Sequence, residues 1–150
     1  MNPAHGLADL QARFGKLTVV NGQITSPLHW ESANMLTVTD LPGVGHKLYV
    51  NKYMVGPLRA ALAAALSACP GYAIRTIGCF NPRPKRVNGD LSVHSWGLAI
   101  DINADTNPMH RPMITDMPDA FVKAFTDQGF TWGGHFATPD PMHYQYVSGY

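Results

Sequence analysis

The stretch Ser92-Val93-His94-Ser95-Trp96-Gly97-Leu98-Ala99-Ile100-Asp101, answered further along by Asp140-Pro141-Met142-His143-Tyr144, decides how this chain is read. Catalytic zinc takes three protein ligands, drawn from residues such as His, Asp and Glu, and keeps a fourth position for water. His94, Asp101 and His143 fit that inventory, and Asp140 remains as a carboxylate for proton transfer. Leu98, Ile100 and Ile102 alternate with Ala99, Asp101 and Asn103 in the period-2 pattern of a half-buried strand, so Asp101 should face away from the apolar side. Met142, Tyr144 and Tyr146 alternate in the same way with His143, Gln145 and Val147. Two neighbouring strands would then carry both ligands on one face. His94 precedes the first strand by a Ser-Trp-Gly turn, where Gly97 can adopt a backbone conformation closed to other residues and bend the histidine back over the sheet.

Composition narrows the remaining choices. A chain of 150 residues with 45% apolar side chains supports one ordinary core, so residues 1–150 are expected to form a single domain. Eleven basic against 10 acidic side chains leave a net charge of +1, too balanced for the electrostatic footprint of a nucleic-acid binder. The one basic cluster, Arg83-Pro84-Lys85-Arg86, is short and broken by proline. Twelve Pro and 14 Gly argue against a helical bundle, whose helices would lose stability at each interior break. The opening Met1-Asn2-Pro3-Ala4-His5-Gly6 lacks the basic and apolar segments of a secretory signal. The most apolar run, Ala60 to Ala68, is too short to cross a bilayer, and no membrane partner is expected. Cys69 and Cys79 are the only cysteines, and two buried thiols are expected in preference to a disulfide.

Read along the chain, Leu7, Leu10 and Phe14 recur at helical spacing in residues 6–14, and Gly15 stops that helix. From Lys16 to Val50 loops and short strands are expected, with Leu36-Thr37-Val38 and Lys47-Leu48-Tyr49-Val50 as the better strands. Pro57 opens a helix that carries Leu58, Leu62 and Leu66 to near Ser67, and Pro70-Gly71 ends it. Tyr72 to Ile77 reads as a strand, and Pro118 to Gln128 as a helix with Phe121, Val122 and Phe125 inward, stopped by Gly129. The expected fold is α+β: a small antiparallel sheet carrying the zinc site, with a few flanking helices.

At this point the residues resemble a known family. SVHSWGLAID is similar to the Ser-x-His-x-x-Gly-x-Ala-x-Asp signature of the zinc D-alanyl-D-alanine carboxypeptidase and L-alanyl-D-glutamate endopeptidase family, and DPMHY resembles its closing acid-x-x-His element. The likeness extends through Gly78-Cys79-Phe80-Asn81-Pro82-Arg83 and Gly129-Phe130-Thr131-Trp132-Gly133-Gly134, and it looks closest to the bacteriophage endolysin-like branch. It covers roughly residues 56 to 147, the expected catalytic core, and leaves residues 1–55 as a helix and loop-rich N-terminal part. Two departures stand out. Gln145 sits where relatives often carry Glu, and Gly133-Gly134-His135-Phe136 differs from the usual Gly-Gly-Asp-Trp.

The resemblance implies a Zn2+ peptidase that cuts peptidoglycan stem peptides, with an L-alanyl-D-glutamate endopeptidase in phage-driven lysis as the expected activity. Such a protein would be made in the host cytoplasm, act on the cell wall, and work as a monomer. A D-alanyl-D-alanine carboxypeptidase is the rival within the family, and a noncatalytic zinc-stabilised binding module is the rival outside it. Asp140 is read as general base, since it lies three residues before His143 and could sit near the metal without binding it. Arg83 ends the Gly78 to Arg83 element, which resembles the family's aromatic-x-Arg segment, and would hold an oxyanion or a substrate carboxylate, with Arg75 and Arg86 as competitors. Ser92 would be a hydrogen-bonding neighbour of the site, and Trp132 and His135 could line the cleft or orient substrate. The loop Asn107 to Met113 is expected to border the cleft, while His5, His29, His46 and His110 have no ligand-like partners in sequence.

Overall fold

A computed structural model describes residues 2–85 and 90–150 of the chain. Its elements are, in order, β1 (Ala4–His5), α1 (Gly6–Phe14), β2 (Thr18–Val20), β3 (Gln23–Thr25), α2 (Trp30–Asn34), β4 (Met35–Val38), β5 (Leu48–Asn51), α3 (Val55–Ala68), β6 (Ile77–Gly78), β7 (Ala99–Ile102), α4 (Asp119–Thr126), β8 (Thr131–Trp132), β9 (His143–Gln145) and β10 (Val147–Ser148). The architecture is mixed α+β, with small antiparallel sheets and a few helices. The central sheet is four-stranded in the order β6-β7-β9-β8, every pair antiparallel.

Register explains how this sheet serves a site. Ile100 pairs with Tyr144, and one step along Asp101 pairs with His143. Successive side chains on a strand alternate faces, so Ile100, Ile102 and Tyr144 share one face while Asp101, His143 and Gln145 share the other. The first face is sealed by α4, whose Phe125 ring lies 4.4 Å from that of Tyr144. Phe121, Phe125, Leu58, Leu62, Ile100, Ile102 and Tyr144 are all fully buried, so α3, α4 and the sheet close around one core. Each of these large apolar side chains contributes roughly 1.5–3 kcal/mol on burial.

The N-terminal part braces the site from behind. β4 and β5 form an antiparallel pair, and Asn51 at the end of β5 anchors the turn around Gly97. Its backbone N donates to Gly97 O at 2.9 Å and its Nδ2 donates to Trp96 O at 3.0 Å. The Trp96 indole in turn donates to Gly15 O just beyond α1. β1 runs parallel to β10, which brings the segment preceding α1 beside the strand that follows Gln145.

Three local expectations need correcting. The strand expected over Tyr72 to Ile77 contracts to β6, because Asn103 occupies the ladder positions of residues 73 to 76 with its side chain. Its Oδ1 accepts from Arg75 N and Thr76 N, and its Nδ2 donates to Ala73 O. The segment between Lys16 and β4 holds the β2–β3 hairpin and α2 as well as loops. Val122 is only half-buried, and Ala124 takes the inward position beside Phe121 and Phe125. Cys69 and Cys79 are both buried free thiols, as the sequence suggested.

Candidate metal centre and cleft

His94 is carried on a single 3-10 turn, Val93–Trp96, capped by Ser92, whose Oγ accepts from His94 N at 3.3 Å. Gly97 ends the turn at φ 67°, a left-handed conformation that glycine adopts without strain. A Cβ there would also come within 2.5 Å of the Met35 side chain. The turn directs the imidazole over the cleft face of β7, where its Nε2 reaches to 3.2 Å from Asp101 Oδ2. Directly across the β7–β9 ladder, His143 Nδ1 lies 3.1 Å from Asp101 Oδ1.

One ligand atom from each of His94, Asp101 and His143 can therefore be chosen so that all lie within 4.8 Å of one another. Two ligands of a tetrahedral zinc at about 2.0–2.1 Å are themselves about 3.3 Å apart, and each imidazole nitrogen lies near that distance from one of the two Asp101 oxygens. His94 Nδ1–H donates to Cys79 O at 2.7 Å, which leaves Nε2 as the ring's free donor atom for a cation. Nε2 is buried and has no well-aligned hydrogen-bond partner among the described residues. The residue types, their spacing and this orphaned nitrogen all fit zinc.

Electrostatics favours the same use. Burial alone would raise the pKa of Asp101, but the His143 and His94 rings packed against its two oxygens outweigh it and hold the carboxyl well below its ordinary range. For His143 burial works to lower the pKa, and the adjacent Asp101 carboxylate overcomes it, so the net shift is upward. A carboxylate kept ionised between two imidazoles is a negative cradle for a divalent cation.

Asp140 reaches the cleft on a tight turn. His143 N donates to Asp140 O at 3.0 Å and Asp140 N donates to Gly133 O at 2.9 Å. Gly133 is required by this close approach, since a Cβ would meet Asp140 O at 2.4 Å. The Asp140 carboxyl projects into the cleft beside the three candidate ligands, its Oδ1 buried and without a partner among the described residues. Burial raises its pKa above the ordinary 3.8.

The cleft measures about 290 Å³. Arg83, Lys85 and Ser92 are among its polar lining residues, and Met109, Phe136 and Met142 among its apolar ones. Arg83 has its main chain tied to Ser95 and Ser92, while its Nε is buried without a hydrogen-bond partner among the described residues. Arg75 is engaged elsewhere, with Asp105 and Thr106 at 2.9 Å each. Arg86 lies outside the described residues.

Trp132 and His135 fall outside the cleft lining. Trp132 is buried and donates from Nε1 to Pro141 O at 2.8 Å, bracing the Asp140–His143 turn from behind, and the exposed His135 ring packs edge-on against it. Phe136 takes the wall position instead, its ring 5.7 Å from that of His143. Gln145 was visible in the sequence only as a departure from a pattern, yet its Oε1 lies 2.9 Å from His143 Nε2. Its place two residues after His143 on the same strand was the signal that could have found it.

Residues 85–146 match a family model described as D-alanyl-D-alanine carboxypeptidase. The matched segment spans the Val93–Trp96 turn, β7, α4, β8 and β9, and so contains His94, Asp101, Asp140 and His143. No curated protein and no solved structure matches the chain.

Proposed function

We propose that this protein is a zinc-dependent peptidase that cleaves peptidoglycan stem peptides, acting as an L-alanyl-D-glutamate endopeptidase in phage-driven lysis. The observation that carries the reading is the convergence of His94, Asp101 and His143 within 4.8 Å, next to a buried, partnerless Asp140 oxygen, inside the segment that matches the peptidase family model. Among the described residues no helix is long and apolar enough to cross a membrane. The protein would work on the wall as a monomer, made in the host cytoplasm.

His94 through Nε2, His143 through Nδ1 and Asp101 would hold the ion. Zinc held by such ligands is a Lewis acid that makes water nucleophilic near neutral pH. Asp140 accepts the proton of the attacking water at its partnerless oxygen and returns it to the leaving amine, a role worth typically 10²–10⁴-fold. Its raised pKa brings it closer to the pH at which it must both take and give a proton. Arg83 offers an unsatisfied N–H to charge that develops on the peptide oxygen. Phe136, Met109 and Met142 exclude water from the reacting bond.

A D-alanyl-D-alanine carboxypeptidase is the second reading. The description of the matched family model favours it, and so do Arg83 and Lys85, two cations in the cleft lining that could receive a terminal carboxylate. Digestion of purified muropeptides followed by mass spectrometry separates the two. The endopeptidase detaches the stem after its L-alanine, whereas the carboxypeptidase removes only a terminal D-alanine. Intact muropeptides that nonetheless bind the protein would reject both and leave a noncatalytic binding module.

A further inference from the structure

His143 and Gln145 stand two residues apart on β9 and share its cleft face. The Gln145 amide is not free to turn. Its Nε2 donates to Val147 O at 3.1 Å and to Tyr150 O at 3.0 Å. Turned over, the amide oxygen would face two carbonyl oxygens that can only accept. Tyr150 is itself fixed, since its hydroxyl donates to Leu91 O at 2.6 Å and Lys85 Nζ sits 3.5 Å above its ring. Backbone carbonyls therefore aim Gln145 Oε1 at His143 Nε2, 2.9 Å away.

We propose that Gln145 is a positioning residue for the metal, keeping the His143 proton on Nε2 so that Nδ1 always presents its lone pair beside Asp101. The inference rests on the zinc reading of the site. An imidazole nitrogen facing an acceptor must carry the hydrogen, and a neutral ring has only one to place. Asp101 Oδ1, at 3.1 Å from Nδ1, competes for that hydrogen as a carboxylate. Without Gln145 the neutral ring would donate from Nδ1 to Asp101 and block its own ligand atom. His94 uses the converse arrangement, its Nδ1–H fixed by Cys79 O and its Nε2 left open. The two rings thus hold opposite tautomers, each set by an acceptor anchored in the backbone.

The test is zinc affinity of metal-free protein, measured by competition with a chromogenic chelator, together with long-range 1H–15N spectra of the histidine rings. Gln145→Met keeps an unbranched chain but loses the acceptor, and it should bind zinc about 10–100-fold more weakly. Gln145→Glu restores an acceptor opposite Nε2 but sets its second oxygen against Val147 O and Tyr150 O, so it should recover only part of that loss. Wild-type spectra should show the proton on His143 Nε2 and on His94 Nδ1. Zinc affinity in Gln145→Met within about twofold of wild type, or a wild-type His143 carrying its proton on Nδ1, overturns the proposal. Should Gln145→Met fail to fold, the wild-type ring spectra alone decide. Wild-type protein that takes up no zinc overturns the metallopeptidase reading and this inference with it, whereas zinc uptake unaffected by residue 145 overturns the inference alone.

Discussion

Asp140 sits at odds with its surroundings, a carboxyl buried without a partner among the described residues for one of its oxygens. Because burial raises its pKa above 3.8, its contribution to stability is fully present below 3.8 and is lost as pH rises through the higher folded value. At pH 7 the ionised group therefore opposes folding. Asp140→Asn should keep zinc, lose about 10²-fold or more in turnover, and melt at a higher temperature than wild type at pH 7 when both are metal-free. The melting gap should close near pH 3.8. A variant with the wild-type rate would reduce Asp140 to a turn residue. Arg83 makes a parallel case. Lysine there keeps the charge but not the planar fork, so Arg83→Lys and Arg83→Ala should both lose roughly 10²–10³-fold in turnover with zinc content unchanged. Full activity in both would move the electrostatic role away from Arg83.

At the scale of elements, the end of β7 is the most exacting joint. Asn103 is buried at φ 49° and replaces the missing ladder of the segment before β6 with its side chain. Asn103→Ala would leave Arg75 N, Thr76 N and Ala73 O to find water, at about 1–3 kcal/mol for each group that stays buried. Urea unfolding should show a loss of about 3 kcal/mol, and a loss under about 1 kcal/mol would mean that solvent replaces the amide easily. That joint also marks where sequence reading stops. Period-2 alternation in Leu98–Asn103 and Met142–Val147 predicted that Asp101 and His143 share a face, because strand geometry makes the pattern local. The turn at Gly97 was legible for the same reason. Nothing local in Tyr72–Ile77 announces that an asparagine 26 or more residues later will take its ladder positions. The cleft walls were hidden likewise: Phe136 and Tyr150 reach the site through tertiary packing, and Trp132, expected with His135 to line the cleft, turns inward to hold Pro141.

Over the whole molecule the candidate ligands join distant parts of the chain. His94 and Asp101 belong to one turn and strand, and His143 lies on the far side of α4 and β8. A metal bound to the native state alone stabilises it by about 2.7 kcal/mol at a concentration 100 times its dissociation constant. Zinc should accordingly raise the melting temperature of metal-free protein, a chelator should reverse the gain, and His94→Ala should abolish the response. A melting temperature indifferent to zinc would reject the centre. The three tryptophans give that experiment its own optical probe. Trp96 shares the turn of His94, Trp132 grips the carbonyl between Asp140 and His143, and Trp30 holds the end of α1, all three buried. Their intrinsic emission should be blue in the native protein and shift red on unfolding. Trp96 and Trp132 flank the two halves of the site, so ligand occupancy can be followed without a dye, with Trp30 as the internal reference for the rest of the fold.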